Sequence, residues 1–282
     1  MDSDMRAVLL TLALWAVGSA FGGIKYIAHR GAGDLAMPEA SLPAFSNAVA
    51  TACDIVKLDV QETKDGVLVL CHDGTLKRYM GLDLRVRDLT YPELLEKGTF
   101  KPIGGYESEK IVTLDQALAI VKSIPEFWID FKAYSPSIAE KALAAFARQG
   151  IDESRVMCAT FSYAALEYLK KSHPKVRLVA HFSLKLQDGR YSTLLDRKST
   201  FATKREAYSA ILAAKENYGL FGVNMPVLNK DASRTEPEDV AYLKQHGLWV
   251  SLWFVQSRKV AEKYRSSGVD AFVTDHVSKV RF

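Results

Sequence analysis

The chain alternates between short apolar runs of strand length and longer segments in which apolar residues recur with helical periodicity. The short runs predict eight strands, at 24–29, 55–60, 127–132, 155–160, 176–181, 220–225, 248–254 and 271–275. The segments between them predict helices at 41–52, 113–123, 137–149, 163–172, 204–216, 237–246 and 257–266. Strands that alternate with helices indicate a parallel sheet, and eight repeats favour a closed α/β barrel of the (β/α)8, or TIM, type.

One further apolar run, 67–71, breaks the alternation and predicts an extra hairpin strand. Lys64, Asp65 and Gly66 precede it, and Asp-Gly between two apolar runs is a strong hairpin signal. With a two-residue turn, Asp59 would face His72, and Lys57 would lie on the same face because side chains alternate along a strand. The following segment, about 73–111, has little periodicity, and we expect this insertion to cover the active-site end of the barrel.

Composition and charge limit the functional classes. The 282 residues are 48% hydrophobic and 25% charged, and the formal net charge is +4. A single barrel of about 250 residues would occupy 23–282. The basic residues are spread along the chain, so no nucleic-acid partner is predicted. The sequence does not specify an oligomeric state.

The N-terminus has the pattern of a targeting segment. An apolar run at 7–17 precedes small residues that end at Ala20. The run is too short to span a bilayer but fits the core of a signal peptide over 1–22, which predicts a secreted or periplasmic protein. An uncleaved membrane anchor is the alternative. The three cysteines show no metal or disulfide spacing and are predicted to be buried free thiols.

Chemically capable residues recur where predicted strands end. In a barrel of this type the carboxyl ends of the strands carry the active site. The residues at these ends, together with the hairpin, are His29, Arg30, Asp59, His72, Asp130, Lys132 and Trp253. Two histidines suit acid–base catalysis, carboxylates suit a hard divalent cation, and arginine and lysine suit a phosphate. Together these groups describe cleavage of a phosphodiester.

The same residues resemble the glycerophosphodiester phosphodiesterase family. The motifs are His29-Arg30-Gly31, Pro38-Glu39, Leu58-Asp59-Val60, Thr63-Lys64-Asp65-Gly66, His72-Asp73, Ile129-Asp130-Phe131-Lys132, Trp253 and Gly268-Val269-Asp270. Their order and spacing match from about Tyr26 to Val280, nearly the whole mature chain. The resemblance implies a (β/α)8 barrel, which agrees with the periodicity.

The resemblance also implies roles for individual residues. His29 and His72 match the acid–base pair, Arg30 and Lys132 match groups that contact the phosphate, Trp253 matches an aromatic wall, and Glu39 matches a supporting glutamate. Asp59 and Asp130 match ligands of a divalent cation, Mg²⁺ or Ca²⁺. The implied reaction converts a small-molecule glycerophosphodiester to glycerol 3-phosphate and an alcohol. A glycerol hydroxyl attacks the phosphorus, one histidine accepts its proton, and the other histidine protonates the leaving alcohol.

Lys57 departs from the family pattern, which ordinarily has a glutamate metal ligand at this position. An ammonium group has three donors and no acceptor, so it cannot ligate a cation. Three explanations are open. Lys57 takes the place of the metal, or the protein has lost hydrolysis, or Lys57 turns outward through a bulge and leaves the metal to other ligands.

Three functions follow, with hydrolysis of glycerophosphodiesters ranked first. The alternative is a catalytically impaired barrel that binds a phosphate or a lipid head group. The third is an activity like that of lysophospholipase D or sphingomyelinase. The insertion supplies apolar residues for a lipid-accepting rim, namely Tyr79, Met80, Tyr91, Phe100 and Tyr106, so contact with lipid or a membrane stays open.

Overall fold

The computed structural model describes residues 23–32, 37–103, 105–106, 108–193, 199–227 and 235–282. The predicted signal peptide, 1–22, lies outside these residues, so export stays a prediction. None of the described helices combines the length and the apolar character needed to cross a bilayer.

Eight parallel strands of the described chain close into a barrel, which confirms the predicted fold. They are β1 (Lys25–Ala28), β2 (Ile55–Glu62), β4 (Glu126–Phe131), β5 (Val156–Thr160), β6 (Arg177–His181), β10 (Gly222–Pro226), β11 (Trp249–Trp253) and β12 (Ala271–Thr274). Each strand pairs with the next in this order, and β12 pairs with β1, which closes the ring.

Helices surround the barrel where the periodicity predicted them. The main ones are Leu42–Ala50, Leu114–Val121, Pro136–Arg148, Tyr163–Ser172, Lys204–Tyr218, Pro237–Gln245 and Arg258–Tyr264, and a short helix, Val277–Val280, follows β12. Serine or threonine side chains cap most of their N-termini; Ser41 and Ser135, for example, each accept a hydrogen bond from a first-turn backbone N–H. These caps explain why the helices begin where they do.

The two faces of each barrel strand have different surroundings. On β2, Val56 and Leu58 belong to the apolar core between barrel and helices. Ile55 points into the barrel, where it belongs to a separate apolar cluster with Trp128 and Met157. Because side chains alternate, the next inward positions on β2 are Lys57 and Asp59. A polar layer therefore lies directly above an apolar one inside the barrel.

The extra hairpin strand exists, but its predicted register is wrong by one residue. Strand β3 (Leu68–Leu70) is antiparallel to the end of β2, with Val60 opposite Leu70. The Asp59 carbonyl accepts the Cys71 N–H, so Cys71, not His72, lies opposite Asp59. The loop contains three residues rather than two and ends with Gly66 at φ +85°, as in a type I turn followed by a left-handed residue.

The segment 73–111 contains short structured pieces rather than an open loop. Helices occur at Lys77–Met80 and Tyr91–Glu96, with a 3-10 turn at Val86–Asp88. They share a small hydrophobic cluster that includes Leu76, Tyr79 and Phe100. A second elaboration was not predicted: a small antiparallel sheet formed by β7 (Leu184–Gln187), β8 (Arg190–Thr193) and β9 (Thr200–Phe201).

The three cysteines are free and buried, as predicted. Burial raises the pKa of Cys53 and of Cys71 to about 12, so both remain thiols at neutral pH. They take no part in the chemistry described below.

Candidate active site

The first functional residues lie in a tight turn directly after β1. His29–Gly31 form a 3-10 turn in which Arg30 has a left-handed conformation, with φ 53°. Gly31 also has a positive φ of 89°, and a Cβ at this residue would lie only 2.9 Å from the Ala44 Cβ. The glycine therefore lets the turn approach helix Leu42–Ala50 closely, which places His29 and Arg30 at the barrel mouth.

His29 is oriented by a carboxylate on the neighbouring strand end. Its Nδ1 lies 2.6 Å from Asp275 Oδ1, and Gln256 donates a hydrogen bond to the other carboxylate oxygen. A carboxylate at Nδ1 favours the tautomer that carries its proton there, which leaves Nε2 free for the cavity. The Phe254 ring packs 4.5 Å from the imidazole and limits its rotation.

His72 has the same arrangement at the end of the hairpin. Its Nδ1 lies 2.8 Å from Asp73 Oδ1, and Arg78 donates to both oxygens of this carboxylate. Gln61, on the inward face of β2, donates through Nε2 to the carbonyls of Cys71 and Asp73. This amide ties the hairpin end to the barrel and so positions His72.

Between the two histidines lies a closed ring of four alternating charges. Lys57 Nζ contacts Asp59 Oδ1 and lies 2.9 Å from Asp130 Oδ2. Lys132 Nζ lies 3.0 Å from Asp59 Oδ1 and 2.8 Å from Asp130 Oδ2. Lys57 is 4% exposed and the two aspartates 2% each. We call these four residues the charge ring.

Arg30 joins the charge ring to the outer shell of the site. Its Nε lies 3.3 Å from Asp59 Oδ2, and its Nη1 donates to Glu39 Oε1 at 2.6 Å. Glu39 also accepts hydrogen bonds from Arg78 and from the Tyr79 hydroxyl. Glu39 thus holds the guanidinium of Arg30 in place.

One cavity brings most of the predicted site residues together. Its volume is about 290 Å³, and its lining includes His29, Lys57, His72, Asp130, Lys132 and Trp253. Asp59 is not part of the lining, because the cations around it cover its carboxylate. The cavity therefore offers a small anion the imidazoles of His29 and His72, two ammonium groups and an aromatic wall, beside the carboxylate of Asp130.

Two further polar lining residues, His181 and Asn224, were not singled out from the sequence. His181 Nε2 lies 3.2 Å from Asp130 Oδ2, and the amide of Asn224 contacts His181 Nδ1. Phe161 stacks on the His181 ring at 4.3 Å. His181 and Asn224 are inward-facing residues near the ends of β6 and β10. Checking every strand end for polar side chains would have identified both.

The protonation states follow from burial and from neighbouring charges. Burial lowers the pKa of His29 although Asp275 opposes the shift, and burial with Lys132 lowers the pKa of His72 to about 4. Burial alone would raise the pKa of Asp59 and Asp130, but Lys57 and the other nearby cations lower both. These shifts favour neutral imidazoles at His29 and His72 beside the ionised carboxylates of Asp59 and Asp130 at neutral pH.

The residues present do not fit a divalent cation at Asp59 and Asp130. Mg²⁺ and Ca²⁺ take six or more oxygen ligands. Within the described chain no group of three His, Cys, Asp or Glu side chains is arranged to hold a metal ion. The ammonium of Lys57 lies between the two carboxylates, where it donates and cannot ligate. Its buried position is also inconsistent with a lysine that turns outward.

Comparisons with known proteins identify the family that the chain resembles. Residues 29–279 match the model of the glycerophosphoryl diester phosphodiesterase family. A glycerophosphodiester phosphodiesterase of Caldanaerobacter subterraneus subsp. tengcongensis is 27% identical over 255 residues, which cover 88% of this chain and 93% of that protein. A lysophospholipase D of Rattus norvegicus is 40% identical over 70 residues, 25% of this chain and 22% of that protein.

The solved structures support the fold. A phosphodiesterase from Oleispira antarctica, in complex with the product sn-glycerol-3-phosphate, aligns with a TM-score of 0.72 at 20% identity. The alignment covers 91% of this chain and 95% of that one. Together with the family model, this match confirms the resemblance drawn from the motifs.

Proposed function

The chain belongs to the glycerophosphoryl diester phosphodiesterase family, and from this premise we propose that it cleaves glycerophosphodiesters with His29 and His72 as its acid–base pair. Family membership makes it an enzyme, a phosphoric diester hydrolase. The substrate class, the products and the division of roles between the histidines belong to our proposal.

The observation that carries the proposal is the shared geometry of the two histidines. Each imidazole has a carboxylate at Nδ1, and both rings line one cavity together with the ammonium groups of Lys57 and Lys132. A carboxylate at Nδ1 stabilises an imidazolium, so each ring can accept and return a proton at Nε2. A binding site for phosphate alone would not require two such pairs.

The proposed reaction has two steps. A hydroxyl of the glycerol moiety attacks phosphorus, one imidazole accepts its proton, and the bond to the leaving oxygen breaks as the other imidazole protonates that oxygen. Water then opens the cyclic phosphate with the roles of the imidazoles reversed, which gives glycerol 3-phosphate. Lys57, Lys132 and Arg30 stabilise the charge on the phosphate oxygens, and Trp253 forms a wall of the pocket.

Because both histidines are neutral in the free protein, one proton must be taken up as the substrate binds. An anionic phosphate between the two rings favours the imidazolium form electrostatically. The same phosphate supplies the charge that the cationic side of the cavity is built to receive.

The test is turnover of glycerophosphocholine, followed as release of glycerol 3-phosphate. We expect His29→Ala and His72→Ala each to lower turnover by about 10²–10⁴-fold. His173→Ala is the matched control, because His173 lies outside the site and contacts Glu140 and Glu153. Unchanged turnover in both site variants would contradict the assignment. If glycerol 3-phosphate stabilised the wild type while no product ever formed, the binding-only alternative would be correct.

A second candidate substrate is a lysophospholipid. An adjoining cavity of about 390 Å³ shares His29 and Phe254 with the first, and its lining combines the apolar side chains of Met37, Phe100 and Ile103 with charged ones such as Arg30, Glu39 and Lys101. An acyl chain would occupy this cavity, and the partial match to a lysophospholipase D also favours a lysophospholipid substrate. We expect Ile103→Ser, at a lining residue that is 38% exposed, to lower turnover of lysophosphatidylcholine while sparing glycerophosphocholine. Equal effects on both substrates would argue against an acyl site, and a sphingomyelin arm tests the remaining alternative.

A further inference from the structure

The charge ring raises the question of which group supplies the positive charge that phosphate chemistry needs. Lys57 projects inward from β2, and its ammonium contacts both buried carboxylates of the site. It also lines the cavity that the two histidines share. Lysine side chains are rarely buried this deeply unless they are paired, so Lys57 is an integral part of the site.

The ring compensates its own charge. Each ammonium contacts both carboxylates, at 2.8–3.0 Å for the contacts of Lys132 and at 2.9 Å for that of Lys57 with Asp130. The side chains carry two positive and two negative charges, and Arg30 adds a third cation at Asp59. Buried ions are tolerated only when they are paired in this way.

A divalent cation at the two aspartates would have to break this arrangement. It would displace the Lys57 ammonium from both carboxylates and then lie beside Lys132 and Arg30, which repel it. The net charge explains why a lysine can replace a metal ion together with its glutamate ligand. A glutamate and a divalent cation together carry one positive charge, and so does one ammonium group, so the net charge that the phosphate meets is conserved.

We therefore propose that Lys57 is a built-in cation that replaces the divalent metal on which enzymes of this family generally depend, so that hydrolysis by this chain is independent of metal ions. This inference rests on the proposed function for its catalytic half. The structural half, that Asp59 and Asp130 do not bind a divalent cation, stands without it.

The catalytic half is tested by glycerophosphocholine turnover in EDTA, Mg²⁺ and Ca²⁺. We expect the wild type to turn over within about twofold of the same rate in all three. Lys57→Glu should lose about 100-fold in EDTA and recover part of it with Mg²⁺ or Ca²⁺, since the new carboxylate supplies a metal ligand. Lys25→Met is the matched control: Lys25 pairs with Glu126 at the other end of the barrel, and its loss should leave metal independence intact.

The structural half is tested by thermal unfolding with and without each metal, which needs no turnover. A ligand that binds only the folded state raises the melting temperature. We expect no shift for the wild type and a rise for Lys57→Glu. A rise in the wild type that disappears in Asp59→Asn would overturn the inference.

The two tests separate failure of this inference from failure of the proposed function. A wild type that loses about 100-fold in EDTA and regains it with Mg²⁺ would overturn metal independence and leave the hydrolysis intact. A wild type that is inactive in every condition would overturn the catalytic half together with the proposed function. Even if Lys57→Glu did not fold, the wild-type measurements alone would decide both points.

Discussion

The lower half of the barrel interior, nearer the amino ends of the strands, and the upper half, at their carboxyl ends, are formed by the same strands and are equally buried. The lower half is apolar, whereas the upper half is charged. Below, Ile27, Ile55 and Met157 pack in an apolar cluster with no exposed surface. Above, Lys57 and Asp59 follow on the same inward face of β2 and are 4% and 2% exposed. One face of one strand therefore passes from apolar packing to a charged site within two residues.

This difference indicates what each half contributes. The apolar half stabilises the fold through burial and close packing. The charged half is costly to desolvate, and the proposed function gives it a role in binding and cleaving the substrate. Substitutions in the apolar half should accordingly lower stability alone, whereas substitutions in the charged half should also lower turnover, and the predictions below test that difference.

The largest effects should come from removing one member of each half. Lys57→Met leaves the carboxylates of Asp59 and Asp130 partly uncompensated, so we expect it to lower the free energy of unfolding by about 3–5 kcal/mol and also to lower turnover. Met157→Ala leaves a cavity and should cost about 2–5 kcal/mol while turnover per folded molecule is unchanged. Urea denaturation and turnover, measured on the same samples, check both. A loss of turnover per folded molecule in Met157→Ala would show that the apolar half also affects activity, which would contradict the comparison.

A smaller effect should separate the two histidine–carboxylate pairs within the upper half. Asp73 accepts two hydrogen bonds from the guanidinium of Arg78, whereas among the described residues the carboxylate of Asp275 contacts His29 and the neutral amide of Gln256. We expect Asp275→Asn to lower kcat by about 10–100-fold and Asp73→Asn by less, with KM little changed in both.

The pH profile of turnover distinguishes a positioning role from simple loss of structure. Asp275 raises the proton affinity of His29 against the effect of burial, so Asp275→Asn should shift the acid limb, whereas general destabilisation would not. Equal losses in the two variants would show that Arg78 does not weaken the Asp73 pair.

The smallest predicted effect is a pH dependence of stability. Burial lowers the pKa of His72 to about 4, below the value of about 6.5 expected in the unfolded chain. Between these values the unfolded chain binds the extra proton, so stability is complete above pH 6.5 and falls as the pH is lowered towards 4. From pH 7 to pH 5 we expect this histidine to lower the free energy of unfolding, by less than the full pKa shift would give because the side chain is partly exposed. Urea denaturation of wild type and His72→Gln at both pH values isolates the effect, which the variant should lack.

The barrel was predictable because its signal is repeated. Each strand and each helix has its own hydrophobic pattern, so no single residue decides the fold. The inward direction of Lys57 was also predictable, since it shares the parity of Asp59. The hairpin register was not, because the difference between a two-residue and a three-residue loop depends on the backbone conformation of Gly66.

The pairings within the site were harder to predict than the residues themselves. His29 and Asp275 are 246 positions apart, and only closure of the barrel brings them together. His181 and Asn224 are single polar residues in apolar strands, which carry no periodic signal. The apolar half of the interior can therefore be predicted from the hydrophobic pattern, whereas the pairings in the charged half depend on individual side chains.

The most direct test of the central claim is a crystal structure of the wild type grown with Mn²⁺ and sn-glycerol 3-phosphate, with anomalous data. The account predicts the Lys57 ammonium in contact with Asp59 and Asp130, a phosphate between the two histidines, and no manganese peak at the carboxylates. A manganese ion bound by Asp59 and Asp130, with Lys57 turned away, would contradict it.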